Sequence, residues 1–295
     1  MRLFFTLFLI FPISLLAQDL EDLMGDTETE DKTYYTFATF KTTRLINGQS
    51  IEQDAKGVLN FRINHRFGPT ADRTLYNLFG LDQANIRLGF EYGVSDRLMI
   101  GLGRAKEPGK TYDFFAKYKI LRQSTGANKM PLSISYFASA VVKTADPTAL
   151  GWRNDVNYPN SARWNYTHQL LIAKKFNESI SIQLSPTLIH RNLVETANES
   201  NDVLACGFGG RAMISGSTSL NFEYFYVLPN QLADNYYNAF AIGFDIETGG
   251  HVFQLHFTNS IGMTEPAFIT ETTTPFNATG IRFGFNLSRV FNVAT

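Results

Sequence analysis

Apolar and polar residues alternate along most of this chain. In Gly57-Val-Leu-Asn-Phe-Arg-Ile-Asn-His-Arg-Phe67, Leu59, Phe61, Ile63 and Phe67 share one parity and Asn60, Arg62, Asn64 and Arg66 the other. Successive side chains of a strand point to opposite faces, so this segment predicts a strand with one greasy and one charged face. The same pattern predicts strands near 57–67, 84–94, 97–106, 111–123, 131–144, 164–176, 179–193, 202–215, 218–229, 237–248, 251–261 and 279–291. That makes about twelve, an even number, as single-chain bacterial membrane barrels have. The fold class expected is all-β: an antiparallel transmembrane β-barrel of about 12 strands, with 14 as the alternative if a strand escapes the pattern.

The connections support this order. Val94-Ser-Asp-Arg97, Asn177-Glu-Ser179, Ser215-Gly-Ser217 and Thr248-Gly-Gly250 have the chemistry of tight hairpin turns. Between them lie longer stretches at 68–83, 145–163, 194–201, 230–236 and 262–278. Outer-membrane barrels place short turns in the periplasm and long loops outside the cell. With 57–67 as an upward strand, the short turns fall on one side and the long loops on the other.

The greasy parity runs through Ile86, Leu88 and Phe90, Leu98, Ile100 and Leu102, Phe253, Leu255 and Phe257, and Ile281, Phe283 and Phe285. Lipid is its expected partner, which sets the localisation at the cell outer membrane. Aromatic residues such as Trp164, Tyr166, Tyr226, Tyr237, Phe176 and Phe291 gather near strand ends, where an interfacial belt would lie. The opposite parity carries Arg62, Arg66, Arg87, Glu91, Asp113, Lys117, Lys119, Arg211, Glu223, Asp245, Glu247, His256 and Arg282. These are the expected lumen-lining residues. They would either line a water-filled path and set its selectivity, or pair with one another and hold a small barrel shut.

The N-terminal part divides differently. Residues 1–17 read as a signal peptide: Arg2, then an apolar run from Leu3 to Leu16, then Ala17 before a polar stretch. Residues 18–33 form an acidic leader with Asp19, Glu21, Asp22, Asp26, Glu28, Glu30 and Asp31, and 57–295 form the barrel. The intervening 34–56 includes a strand-like run at 34–46 that would make the strand count odd. It is expected in the periplasm or within the lumen as a plug, with Lys41 and Arg44 meeting acids such as Glu91, Asp113, Glu223, Asp245 and Glu247. The single cysteine, Cys206, excludes an internal disulfide and shares the greasy parity. A net charge of −1 gives no reason to invoke nucleic acid.

Catalytic chemistry finds little support. His65, His168 and His190 fall on the greasy parity near the loop-side strand ends, with His168 and His190 diagonal neighbours. Two histidines without a nearby carboxylate or cysteine do not make a metal site, and no serine shares their face as a nucleophile. His256 is expected to point inward toward lumen acids. No motif calls for a cofactor, so catalytic residues, metal and cofactor are all read as none.

Five strings carry a likeness: Asn64-His-Arg-Phe-Gly68, Leu78-Phe-Gly-Leu-Asp82, His168-Gln-Leu-Leu-Ile-Ala-Lys-Lys-Phe176, Ile189-His-Arg-Asn192 and Gly249-Gly-His-Val-Phe-Gln-Leu-His-Phe-Thr-Asn259. Together they resemble an uncharacterised bacterial outer-membrane β-barrel family, the domain of unknown function 5777, over roughly Tyr35 to Phe291. The resemblance implies a membrane barrel and brings no substrate, cofactor or site residue. The expected function is a small channel or solute-binding barrel. In it Arg62, Arg66, Arg87, Lys117 and Arg282 attract anionic groups while Glu91, Asp113, Glu223 and Asp245 narrow the path. The alternative is an accessory barrel with periplasmic or surface partners; a lipolytic enzyme ranks third. Besides lipid and a small solute, the barrel-assembly machinery is an expected partner, through the alternating last strand ending at Phe291.

Overall fold

The computed structural model describes residues 32–293 except 72–74, 107, 154 and 195. The expected signal peptide and nearly all of the acidic leader lie outside the described residues. Among the described residues the chain forms fourteen strands, β1 to β14, and one short α-helix. Twelve close into a barrel: β2 (Val58–Pro69), β3 (Ala84–Gly93), β4 (Leu98–Ala105), β5 (Thr111–Leu121), β7 (Ser133–Lys143), β8 (Trp164–Lys175), β9 (Ile180–Arg191), β10 (Asp202–Met213), β11 (Thr218–Val227), β12 (Ala239–Thr248), β13 (His251–Thr258) and β14 (Arg282–Asn292). Each pairs antiparallel with its neighbours in chain order, and β14 closes on β2. Closure satisfies the backbone of every strand without leaving an edge, which hydrocarbon would not tolerate. The remaining two, β1 (Thr33–Tyr35) and β6 (Ser124–Gly126), form a separate pair beside the turn that joins β5 to β7.

Short turns gather at one end, hereafter the turn end, and long connections at the other, the loop end, except that the 122–132 connection carrying β6 lies at the turn end and the short 106–110 connection at the loop end. The burial pattern inverts that of a soluble protein. Ile86, Leu88, Phe90, Leu102, Phe253 and Phe257 are exposed, whereas Arg62, Arg66, Arg87, Glu91 and Lys117 are fully buried. An apolar surface of this extent, wrapped around a polar interior, fits only a hydrocarbon surround.

Two segments fill the interior. From β1 the chain turns inward: every residue from Thr39 to Ile51 is buried except half-buried Lys41. Its tip is a tight hairpin, with Leu45 N–H donating to the Gly48 carbonyl at 2.9 Å and Ser50 N–H to that of Thr43 at 3.0 Å. The chain leaves through Ala55 and Lys56, passes against Gly93, and enters β2 at the turn end. The run 34–46 is thus not a membrane strand. From the loop end the β13–β14 connection also dips inward, carrying helix α1 (Glu265–Thr270), whose six residues are all buried. The external loop expected over 262–278 is corrected for 262–272, which turns inward, while 273–278 stays at the surface. Phe268 and Ile269 are apolar residues in a connection, and they find cover only inside, against Phe225, Ile189 and Val203.

Candidate functional site

The hairpin is held in the barrel mainly by inward side chains that match its backbone. Glu223 of β11 accepts the N–H groups of Ile46, Asn47 and Gly48 at 3.2, 2.8 and 3.1 Å. Lys117 of β5 donates to the carbonyls of Thr43, Ser50 and Glu52 at 3.1, 3.0 and 2.7 Å. Gln254 and Asn286 donate to the carbonyls of Leu45 and Ile46 at 2.7 and 2.9 Å, and Gln183 to that of Gln49 at 2.7 Å. A backbone that pairs with no strand of the barrel wall is thereby satisfied inside a closed space.

The charges form a mixed network around this backbone. Glu91 accepts the Thr43 hydroxyl and faces Arg44 and Arg62 at 3.8 and 3.9 Å. Arg44 reaches Glu265 of α1 at 3.1 Å, so the two inserted segments meet in an ion pair. Arg66 donates to Asn47 and Asn286, both at 2.8 Å. Arg87 and Asp113 pair through two bonds of 2.9 and 2.5 Å along one wall. Toward the turn end Lys41 binds Glu247 at 2.5 Å and Asp245 accepts from Gln254 at 2.9 Å. Of the acids proposed for Lys41 and Arg44, they meet Glu247 and Glu91; Asp113, Glu223 and Asp245 are engaged elsewhere. Arg211 lies toward the turn end and donates to the Glu178 carbonyl at 3.4 Å. Arg282 sits at the loop end and donates to that of Phe67 at 3.5 Å. Lys119 is only half-buried, at the turn-end rim.

His256 corrects the sequence reading. It points inward, but no acid among the described residues pairs with its ring, which packs against Gly284 near Arg66. Outside the strands, Asp54 stands at the turn end of the inserted segment. Burial, reinforced by Glu91, pushes its carboxyl up to about 7 against the pull of Arg62, Lys117 and the Asn60 amide.

A family model described as "Membrane bound beta barrel domain (DUF5777)" matches residues 40–291. The chain belongs to this family. No curated protein matches this DUF5777 chain. Among solved structures, the NanC porin aligns at 7% identity with a TM-score of 0.48, covering 80% of this chain and all of that one. The KdgM porin aligns at 9% and 0.48, covering 79% and 99%. An outer-membrane channel of Pseudomonas putida F1 aligns at 13% and 0.47, covering 81% and 97%.

The DUF5777 barrel also has an apolar inner patch that the alternation concealed. Met99, Phe115, Phe137 and Leu171 lie on the inward parity yet are apolar, and they pack against Phe40, Leu45 and Ile51 of the hairpin. Their place on the wrong parity was the available signal. Small inward residues make room beside them: a Cβ on Gly101 would lie 2.3 Å from Phe115, and one on Gly209 would lie 2.6 Å from Leu45. On the outer face, the statement that the histidines lack a carboxylate is overturned. His190 Nδ1 lies 2.7 Å from Asp202, and His168 Nδ1 lies 2.6 Å from the Tyr136 hydroxyl. Among the described residues no group of three His, Cys, Asp or Glu side chains could hold a metal ion. Cys206 is an exposed free thiol on the lipid face.

Proposed function

We propose that this DUF5777 chain is an outer-membrane channel for small solutes, held shut by its own N-terminal hairpin at residues 38–52. The turn end then faces the periplasm and the loop end the cell exterior. Residues 1–17 direct export and 18–33 form a periplasmic leader. The observation that carries this reading is the seating of Ile46, Asn47 and Gly48 on Glu223 and of three carbonyls on Lys117. Burying a charge is costly, and apolar packing of the same volume is often as stabilising as a buried charged network or more so, so a lumen that only had to be filled could be filled without charges. A seat made of side-chain hydrogen bonds can be left and retaken, whereas a strand ladder cannot without breaking the wall. With the hairpin withdrawn, Arg62, Arg66, Arg87, Glu91, Asp113, Lys117, Glu223 and Asp245 line the path with both signs of charge.

Planar-bilayer recording tests this. The intact chain should be silent or conduct in rare bursts, and a variant lacking 38–52 should give frequent, larger openings. Equal conductance of the two proteins would refute the gate. An accessory role has one observation in its favour: Tyr34, Tyr35 and Phe37 stand exposed at the turn end. Mild-detergent purification that yields only the isolated chain would count against it.

A further inference from the structure

At the turn end, between the hairpin and strands β2, β12, β13 and β14, lies a cavity of about 330 Å³. Its charged lining is unbalanced. Glu52, Asp54 and Glu247 contribute three carboxyls, against the Lys41 ammonium group and the His251 imidazole. Asn60 is 3% exposed, and its Nδ2 donates to Asp54 Oδ1 at 3.3 Å. Asn60 Oδ1, Asp54 Oδ2 and Gln53 Oε1 are buried with no donor among the described residues. Buried acceptors are costly unless a donor reaches them, so the chemistry asks for a ligand rich in N–H.

Size and geometry narrow the class. The space far exceeds a bare ion, and the described residues offer no metal-binding group of three ligating side chains. An anion would face the carboxyls, and a neutral polyol would leave them unpaired. Lys41 shows what an ammonium group finds at the mouth: Glu247 at 2.5 Å and the Gly216 carbonyl at 3.0 Å.

We propose that this cavity binds small aliphatic diamines and similar ammonium-bearing solutes, one end on Asp54 and Asn60, the other on Glu52 and Glu247. The assignment names the solute class for the solute-handling barrel above and rests on that reading. The site is present with the hairpin seated, so binding can be measured whether or not the barrel conducts.

Isothermal titration of the detergent-purified full chain with 1,4-diaminobutane tests it, with 1,4-butanediol, succinate and calcium as comparison ligands. Saturable binding by the diamine alone is expected, at least tenfold weaker in Glu247→Gln and weaker still in Asp54→Asn. Glu247 is half-exposed, so its replacement leaves the fold intact. The ammonium groups stay charged, whereas the Asp54 carboxyl faces Glu91, Arg62 and Lys117 from the barrel wall and shares the cavity with Lys41, Glu52, Glu247 and His251. Diamine affinity should therefore rise roughly tenfold between about pH 6 and pH 8, as that carboxyl ionises. No saturable diamine binding, equal binding by butanediol, calcium competing for the site, or affinity unchanged in both variants would each overturn the proposal.

Discussion

Replacing Glu223 by Gln probes the hairpin seat most directly. One carboxylate oxygen accepts Asn47 N–H at 2.8 Å, and the other accepts those of Ile46 and Gly48 at 3.2 and 3.1 Å. An amide keeps one acceptor and turns an NH2 group toward donors that then have no partner. A hydrogen bond to a charged group contributes about 1.5–3 kcal/mol net, and an orphaned buried donor costs about 1–3 kcal/mol. Losing one or two bonds, with the repulsion that follows, should weaken seating by about 3 kcal/mol, or roughly a hundredfold in the population with the hairpin withdrawn. The assay is thiol labelling. With Cys206→Ser in place, Ile46→Cys puts a single thiol at the tip, where Ile46 is 1% exposed. A membrane-impermeant reagent then reports opening, because labelling requires the hairpin to leave. The labelling rate should rise about a hundredfold in the Glu223→Gln background. If it changed by less than about threefold, Glu223 would not be what holds the hairpin.

Further outcomes follow from the same geometry. A Cβ at Gly93 would lie 1.9 Å from the Ala55 carbonyl oxygen, a backbone clash that no rotamer relieves. Gly93→Ala should therefore displace residues 54–57 and speed proteolysis there, while Gly216→Ala, with open space around it, should not. The Asp54 carboxyl is raised from 3.8 to about 7, so the folded protein keeps a proton that the unfolded chain releases. Its stabilising effect is full below the ordinary carboxylate range and is lost as pH rises through about 7. Opening at Ile46→Cys, taken as its labelling rate divided by that of an exposed thiol at the same pH, should be greater at about pH 8 than at about pH 5.5, and Asp54→Asn should flatten that difference. On the lipid face, Leu102→Arg should cost about 2–4 kcal/mol in denaturant unfolding from bilayers, against near zero for Leu75→Arg in the β2–β3 connection. Equal costs at the two positions would contradict a hydrocarbon surround.

The strand pattern was legible because a sheet repeats every two residues and a barrel must separate lipid from interior at each repeat. Alternation therefore marked the twelve strands and the inward direction of Arg62, Arg87, Glu91 and Lys117, and the lengths of the connections sorted the two ends of the barrel. What those residues touch was decided by tertiary structure. No local pattern tells that Glu223 will accept N–H groups from a hairpin some 175 residues earlier, or that Arg44 will meet Glu265. Likewise Met99, Phe115, Phe137 and Leu171 broke the alternation without indicating why. Their reason is Phe40, Leu45 and Ile51, which arrive from a segment with no periodic constraint of its own. The wall of this barrel follows from short-range periodicity. Its contents follow from loops that fold inward because buried polar and apolar groups find partners there and nowhere else.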